Sequence, residues 1–261
     1  MNLQLSGMKV AITGASKGIG RATAEAFAEE GCDLVLGARD VQGLQGLAAT
    51  IEREHGVSVR CCAVDLSMKR GQEQFAESAA DIDVLVNCAG SNPAGRLVDI
   101  SDKTWRESWD LKVFGYINLA RAFYSAMKSR GSGVIVNVIG NSADRMNDAY
   151  ILGSTGNLAL VGLTKALGSA SADDGIRVVG VNPGLTATDR VDVLMRGISK
   201  RKYGTPDHAN EVLSEMKLPF GRPASAREIA DAVVFLASPR AGYISGTVLT
   251  VDGGAANRNS R

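Results

Sequence analysis

Short apolar runs recur along the chain, separated by longer segments whose apolar residues return every three or four positions. The runs fall at residues 9–13, 33–36, 57–59, 84–86, 134–138, 176–179 and 248–251. Runs of this length, rich in valine and isoleucine and without polar alternation, predict strands buried on both faces. The segments between them predict helices, so the rhythm as a whole predicts an α/β fold: one doubly wound parallel sheet of seven strands, helices on both faces. Right-handed crossovers then gather the carboxyl ends of the strands along one edge, where ligands of such sheets bind. Candidate chemistry is therefore sought in the loops that follow the strands.

Two helical segments are long, about 101–129 and 150–172, and their apolar content exceeds a single stripe. One stretch, residues 185–223, carries no strand signal; it is rich in charge and holds Gly197, Gly204 and Pro206. A connection this long predicts a cover over a substrate, against the bland alternative of a surface excursion. The tail, 255–261, is expected to fray. No repeat or low-complexity segment interrupts the 261 residues, which are expected to form one domain, 1–261.

Composition changes this picture little. With 45% hydrophobic and 22% charged residues the chain can bury a large core, and a formal charge of +1 gives no overall field toward nucleic acid, a membrane surface or an acidic partner. Residues 1–7 lack a basic start followed by an apolar run, and no apolar stretch approaches the ~20 residues that span a bilayer, so a cytoplasmic protein is expected. Cys32, Cys61, Cys62 and Cys88 show no metal-ligand spacing; no metal is expected, and reduced thiols beside the strands are. The adjacent Cys61 and Cys62 should point to opposite sheet faces.

The first strand ends in Thr13-Gly14-Ala15-Ser16-Lys17-Gly18-Ile19-Gly20, which opens directly into a helix. Glycines permit a tight turn and close backbone approach, and the helix amino end offers unpaired N–H groups and partial positive charge to a pyrophosphate. A glycine triplet alone is weak evidence; its position after the first strand of a βαβ unit makes it strong. The spacing G-x-x-x-G-x-G is joined by Asn87-Cys88-Ala89-Gly90, Tyr150 opening a long helix, Pro183-Gly184 with Thr188, and Asp252-Gly253-Gly254. In this ordered set the chain resembles the short-chain dehydrogenase/reductase superfamily over essentially its whole length. The resemblance implies a Rossmann fold, a nicotinamide dinucleotide and a small-molecule substrate. It also implies a homotetramer or homodimer formed through the two long helices, which light scattering would check.

An NAD-type relative would place an acid at the end of the second strand, to accept hydrogen bonds from the adenosine ribose. Here the stretch reads Gly37-Ala38-Arg39-Asp40. Arg39 and Lys17 together could bind a 2′-phosphate, the guanidinium bidentately and the ammonium as a point charge, which favours NADP(H) over NAD(H). Asp40 is the residue that could overturn this. The resemblance further implies that Gly14, Ser16, Lys17, Gly18, Ile19 and Gly20 form the phosphate loop and that Asp65, with Leu66 beside it, contacts adenine. It implies that Asn87, Ala89 and Gly90 line the adenosine side. Thr188 with the Pro183-Gly184 turn would hold the carboxamide, with Thr186 and Tyr150 nearby.

The resemblance weakens at the catalytic residues. Relatives usually carry Asn, Ser, Tyr and Lys, the last two as Y-x-x-x-K on one helical face, where an ammonium beside a phenol favours phenolate. This chain reads Tyr150-Ile151-Leu152-Gly153-Ser154, so Ser154 stands where the lysine is expected. Counting along the fifth strand puts Gly140 at the serine position, with Asn141 or Ser142 as substitutes in a loop that looks a few residues short. Counting from Trp105 puts Lys112 at the asparagine position. Two readings follow. Either Lys112 supplies the missing ammonium to Tyr150, with Asn141 or Ser142 as hydrogen-bond donor to a carbonyl, or Lys112 is an ordinary helix residue and Tyr150 a scaffold aromatic. An unassisted tyrosine can still donate a proton near neutrality, though it is a poor base.

The function implied is NADP(H)-dependent interconversion of a carbonyl and an alcohol on a small apolar or cyclic substrate. The alternatives are a cofactor-binding sensor or partner subunit with little redox activity, and a lyase or isomerase on the same fold. His55 and His208 are expected at the surface, and Trp105 and Trp109, four apart, on one helix face.

Overall fold

A computed structural model describes residues 1–258. The expected end of the tail, residues 259–261, lies outside the described residues. Seven strands form one parallel sheet: β1 (Lys9–Thr13), β2 (Asp33–Ala38), β3 (Val59–Ala63), β4 (Val84–Asn87), β5 (Gly133–Val138), β6 (Ile176–Pro183) and β9 (Val248–Val251). Their spatial order is β3-β2-β1-β4-β5-β6-β9, every pairing parallel. The order reverses between β1 and β4, the switch point at which such sheets open a crevice.

Side chains alternate between the two faces of the sheet. Val10 and Ile12 join one core, between the sheet and α1 (Gly18–Glu29), α2 (Val41–His55) and α9 (Ala226–Ala237), and that core contains Phe27, Leu44, Ile51 and Val233. Ala11 joins the other, where Phe75 of α3 (Lys69–Ser78) meets Phe123 and Met127 of α5 (Gly115–Arg130). Each such aliphatic or aromatic side chain contributes roughly 1.5–3 kcal/mol by leaving water. That both cores are built from the apolar runs is why those runs could be read without polar alternation.

The third strand was expected at 57–59 and lies later, at Val59–Ala63. Gly56 ends α2 in the left-handed region at φ 68°, and Ser58 N is held by Asp33 Oδ1 at 2.8 Å, so Val57 and Ser58 are the lead-in rather than the strand. Cys61 packs toward the first core and Cys62 toward the second, on opposite faces. All four cysteines are free, but only Cys32 is buried.

The first long helical segment is continuous but not uniform: α4 (Asp102–Trp109) passes through a π-helical turn, Asp110–Phe114, into α5. The second is α6 (Ile151–Ala170). Residues 185–223, read as a loop-like cover, are mostly helical. They contain α7 (Asp189–Tyr203) and α8 (Ala209–Glu215), and a two-residue strand β7 (Thr186–Ala187) pairs with β8 (Ala224–Ser225) to close the excursion at its base. His55 is exposed and His208 half-buried, its Nδ1 2.8 Å from Glu211 Oε1. Trp105 and Trp109 lie together, ring centroids 6.3 Å apart. No described helix is long and apolar enough to cross a membrane, and no cluster of metal-ligating side chains occurs among the described residues.

Candidate active site

The glycine loop is held to the fourth strand end by one hydroxyl. Thr13 Oγ1 accepts from Cys88 N at 2.8 Å and from Ala89 N at 3.0 Å, which fastens the turn after β1 to the turn after β4. Gly14 makes the closeness possible: its φ is 70°, and a Cβ there would stand 2.9 Å from Ala89 Cα. Gly18 lies against Thr188 Cγ2, so the turn after β6 closes over the same loop. Helix α1 begins after Lys17 without a side-chain cap, leaving its amino-end N–H groups open to an anion. Ser16 lies on the α2 side of the loop, beside Gly43, and Ile19 packs into the core.

Asp40 is occupied. Its Oδ1 accepts from Gly43 N at 3.0 Å and caps α2, so the one acid that could have served a ribose is spent on the helix. Arg39 and Lys17 are both exposed at this end. Asp65 accepts from Ser67 N and Ser67 Oγ at 3.0 and 2.7 Å, and the Ser67 hydroxyl, with a smaller contribution from Arg39, holds its carboxyl below the usual range. The Leu66 side chain is buried in the second core, leaving only its backbone to the crevice. Asn87 is buried, its Nδ2 donating to Asn137 Oδ1 at 3.0 Å across the β4–β5 pair, while its own Oδ1 has no partner. After β6, Gly184 N bonds Val251 O at 2.9 Å, and Thr186 Oγ1 bonds Gly184 O at 3.0 Å, which fixes the Pro183-Gly184 turn.

Tyr150 precedes the helix it was expected to open, with φ −134° and ψ 39°. Its ring folds forward onto the helix: a Cβ at Gly153 would lie 2.0 Å from Tyr150 Cε1 and 2.3 Å from Cζ. The ring thus fills the space that a side chain at position 153 would take. One turn further, Asn157 faces the end of β5; its Nδ2 donates to Ser142 Oγ at 2.8 Å and would lie 2.6 Å from a Cβ at Gly140. Asn157 Oδ1 is buried without a partner. Positions 153 and 157, not 150 and 154, are therefore the helix face turned toward Gly140.

Three expected neighbours of Tyr150 are engaged elsewhere. Ser154 Oγ accepts from Asn147 N at 3.1 Å and so secures the loop before α6. Asn141 Nδ2 is directed at Asp252 Oδ2, 3.3 Å away, because the turn it occupies packs on Gly184. Lys112 is buried in the π-helical turn, its stem crossing Gly90, and its Nζ donates to Ile139 O at 2.6 Å rather than to Tyr150. Burial, and after it the Arg190 charge, brings the Lys112 ammonium down to about 7. The cation on the phenol is Arg190, the second residue of α7, whose Nη2 donates to Tyr150 Oη and to Asn92 O, each at 3.0 Å. Sequence reading missed Arg190, Asn157, Gly153 and Thr13. The signal for Gly153 and Asn157 was the helix face opposite Gly140; Arg190 carried none.

A glycine-rich turn and an open helix amino end at the switch point of a parallel sheet define a dinucleotide-binding α/β protein. The profile of the family described as enoyl-(acyl carrier protein) reductase matches residues 14–256. The dehydrogenase/reductase SDR family member 6 of Rattus norvegicus is 32% identical over 96% of this chain and 98% of its own length. Galactitol 2-dehydrogenase (L-tagatose-forming) of Cereibacter sphaeroides is 33% identical, covering 96% of each. The crystal structure of L-sorbose reductase from Gluconobacter frateurii, complexed with NADPH and L-sorbose, superposes with a TM-score of 0.91 at 33% identity, over 99% of this chain and all of that one. The chain belongs to the short-chain dehydrogenase/reductase superfamily, in the group that this profile describes, and its relatives are oxidoreductases.

Proposed function

We propose that this chain is an NADP(H)-dependent carbonyl reductase in which the proton donor reaches the reacting position from outside the helix. The observation that carries it is the Tyr150 ring lying in the space of the absent Gly153 side chain, its hydroxyl in the hand of Arg190. Gly140, Gly153 and Asn157 then stand where relatives carry serine, tyrosine and lysine, and Lys112 where they carry asparagine. The site departs from the family at all four positions and keeps a phenol by displacement.

The cofactor fits what is present. The uncapped start of α1 and the glycine turn would take the pyrophosphate, Arg39 and Lys17 a 2′-phosphate, and Asp65 with Asn87, Ala89 and Gly90 the adenosine side. Thr188, Thr186 and the Pro183-Gly184 turn would hold the carboxamide, and the unpartnered Asn157 Oδ1 offers an acceptor to a hydroxyl. The NADPH complex of the sorbose reductase supports this choice of dinucleotide. When bound, the reduced cofactor supplies a hydride to a carbonyl carbon. Tyr150 donates its proton to the carbonyl oxygen, and the Arg190 guanidinium faces the charge left on the phenol. Ser142, aligned by Asn157, is the hydroxyl at the serine's side of the cleft. Lys112 adds a second positive charge at the end of β5. Helices α7 and α8 cover the cleft, with Arg190 joining cover to phenol. Assembly as a homodimer or homotetramer belongs to the same reading, through the shallow apolar groove between α5 and α6 lined by Ile117, Tyr124, Leu163 and Leu167.

Fluorescence titration with NADPH and NADH, followed by turnover of a panel of ketones, aldehydes and 2-oxo acids, tests this. Tyr150→Phe is expected to lower kcat on the order of 100-fold with NADPH affinity unchanged. A Tyr150→Phe protein as active as the parent, or tight NADPH binding with no turnover by the parent across the panel, would sink the reductase reading. Arg39→Ala should weaken NADPH about tenfold or more while leaving NADH within about twofold, since only the former has a phosphate to lose. Tighter binding of NADH than of NADPH by the parent protein would refute the assignment of Lys17 and Arg39.

A further inference from the structure

Arg190 offers an open guanidinium edge beside Tyr150, with the buried Lys112 bonded at the end of β5. Arg190 spends both N–H groups of Nη2 on neutral acceptors, Asn92 O and Tyr150 Oη, and its Nε and Nη1 make no hydrogen bond among the described residues. Lys112 is likewise bonded to a neutral acceptor, Ile139 O. The two are near enough that the Arg190 charge is, after burial, the main influence opposing the charge on Lys112. Three carboxylates around the cleft are committed elsewhere, while Asp189 and Asp192 lie beside Arg190 in the first turn of α7. Asp144 accepts from Asn182 and Thr250; Asp252 accepts from Asn141 and from the backbone of Gly254 and Ala256; Asp148 faces Arg96. Some arginines of this chain are matched with acids, Arg227 with Glu29 and Asp231, and Arg222 with Glu228, while others, such as Arg177, bond only to backbone carbonyls. Arg190 is exposed and Lys112 buried, so an anion entering from solvent can reach the guanidinium edge while its charge also favours the ammonium.

We propose that the substrate is an anion, a carbonyl compound bearing a carboxylate next to or near the reacting carbon, held by the open edge of Arg190 with Lys112 behind it. This rests on the reading of the cleft as a carbonyl-reducing centre, and it names the substrate class. The carboxylate takes the unbonded edge of the Arg190 guanidinium, so neutral ketones are poor substrates. Because Arg190 Nη2 also holds Tyr150, the same guanidinium would set the acid group of the substrate beside the proton donor.

Two measurements on the full chain with NADPH bound separate this inference from the reading beneath it. In the first, calorimetry compares oxamate with its neutral counterpart oxamide. Oxamate is expected to bind about tenfold tighter or more, less so as salt is raised, and Arg190→Gln to remove the difference. Absent or equal binding of the two overturns the anion site. In the second, 2-oxo acids are assayed against their methyl esters. The acid-to-ester ratio of kcat/KM is expected to fall at least about tenfold in Arg190→Gln and to survive in part in Arg190→Lys, with the fold of each variant checked by its melting curve. Oxamate binding without turnover of either series would uphold the anion site and overturn the reductase reading. Loss of NADPH affinity in Arg190→Gln with an unchanged acid-to-ester ratio would assign the arginine to the cofactor and overturn the proposal.

Discussion

Gly153→Ala is expected to abolish turnover, by about 100-fold or more in kcat, while NADPH still binds with near-parental affinity. A single methyl group there would stand 2.0 Å from Tyr150 Cε1, well inside any van der Waals contact. Helix α6 cannot yield, since Leu152, Gly153, Ser154 and Gly156 are all buried on it, so the ring must leave and take its hydroxyl away from Arg190. Misplacing a proton donor by an ångström or more commonly costs about two orders of magnitude. The proposed dinucleotide contacts lie on other strand ends, so fluorescence titration with NADPH separates a displaced donor from a collapsed fold. Adding tyrosine at the vacated place, in the double variant Tyr150→Ala with Gly153→Tyr, should recover part of the rate. A Gly153→Ala protein with more than half of parental activity would show that the ring's place over residue 153 is irrelevant to chemistry.

The same residue explains why the fold was far more legible than the site. Seven buried parallel strands write themselves as apolar runs, because both sheet faces demand apolar side chains at successive positions. The phosphate loop is equally local, as three glycines and the helix behind them lie within a few residues. The third strand slipped in the reading because Val57 and Val59 look alike in sequence, while Gly56 and the Asp33 contact to Ser58 decide where pairing begins. At the proposed catalytic centre the visible tyrosine invited a count of four to Ser154, yet the helix starts only after Tyr150, and the face toward Gly140 is set by residues 153 and 157. A side chain that crosses from one position into the space of another has no signature in spacing. Nor does Arg190, which meets Tyr150 across 40 residues from a segment that reads only as charged.

Lys112→Met is expected to flatten the pH dependence of stability, and the sign follows from which state holds the proton. In the unfolded chain the lysine titrates near the ordinary value of about 10.4; in the folded protein burial, and then the charge of Arg190, lowers it to about 7. Between pH 7 and about 10 the unfolded state binds more protons, so the parent protein gains stability as pH rises through that window, and below pH 7 it carries the full penalty. A lowering of this size amounts to roughly 5 kcal/mol over the whole window. Methionine fills similar volume with no charge to desolvate, although it leaves Ile139 O without its donor, a loss of about 1–3 kcal/mol at every pH. The variant should thus melt higher relative to the parent at pH 6 than at pH 9, the gap between the two curves closing by several degrees across that interval, at about 2–4 °C per kcal/mol for a chain of this size. Calorimetric melts of both proteins in steps from pH 6 to pH 9.5 read this directly, and parallel profiles would mean that the ammonium at the end of β5 is as well solvated as one in water.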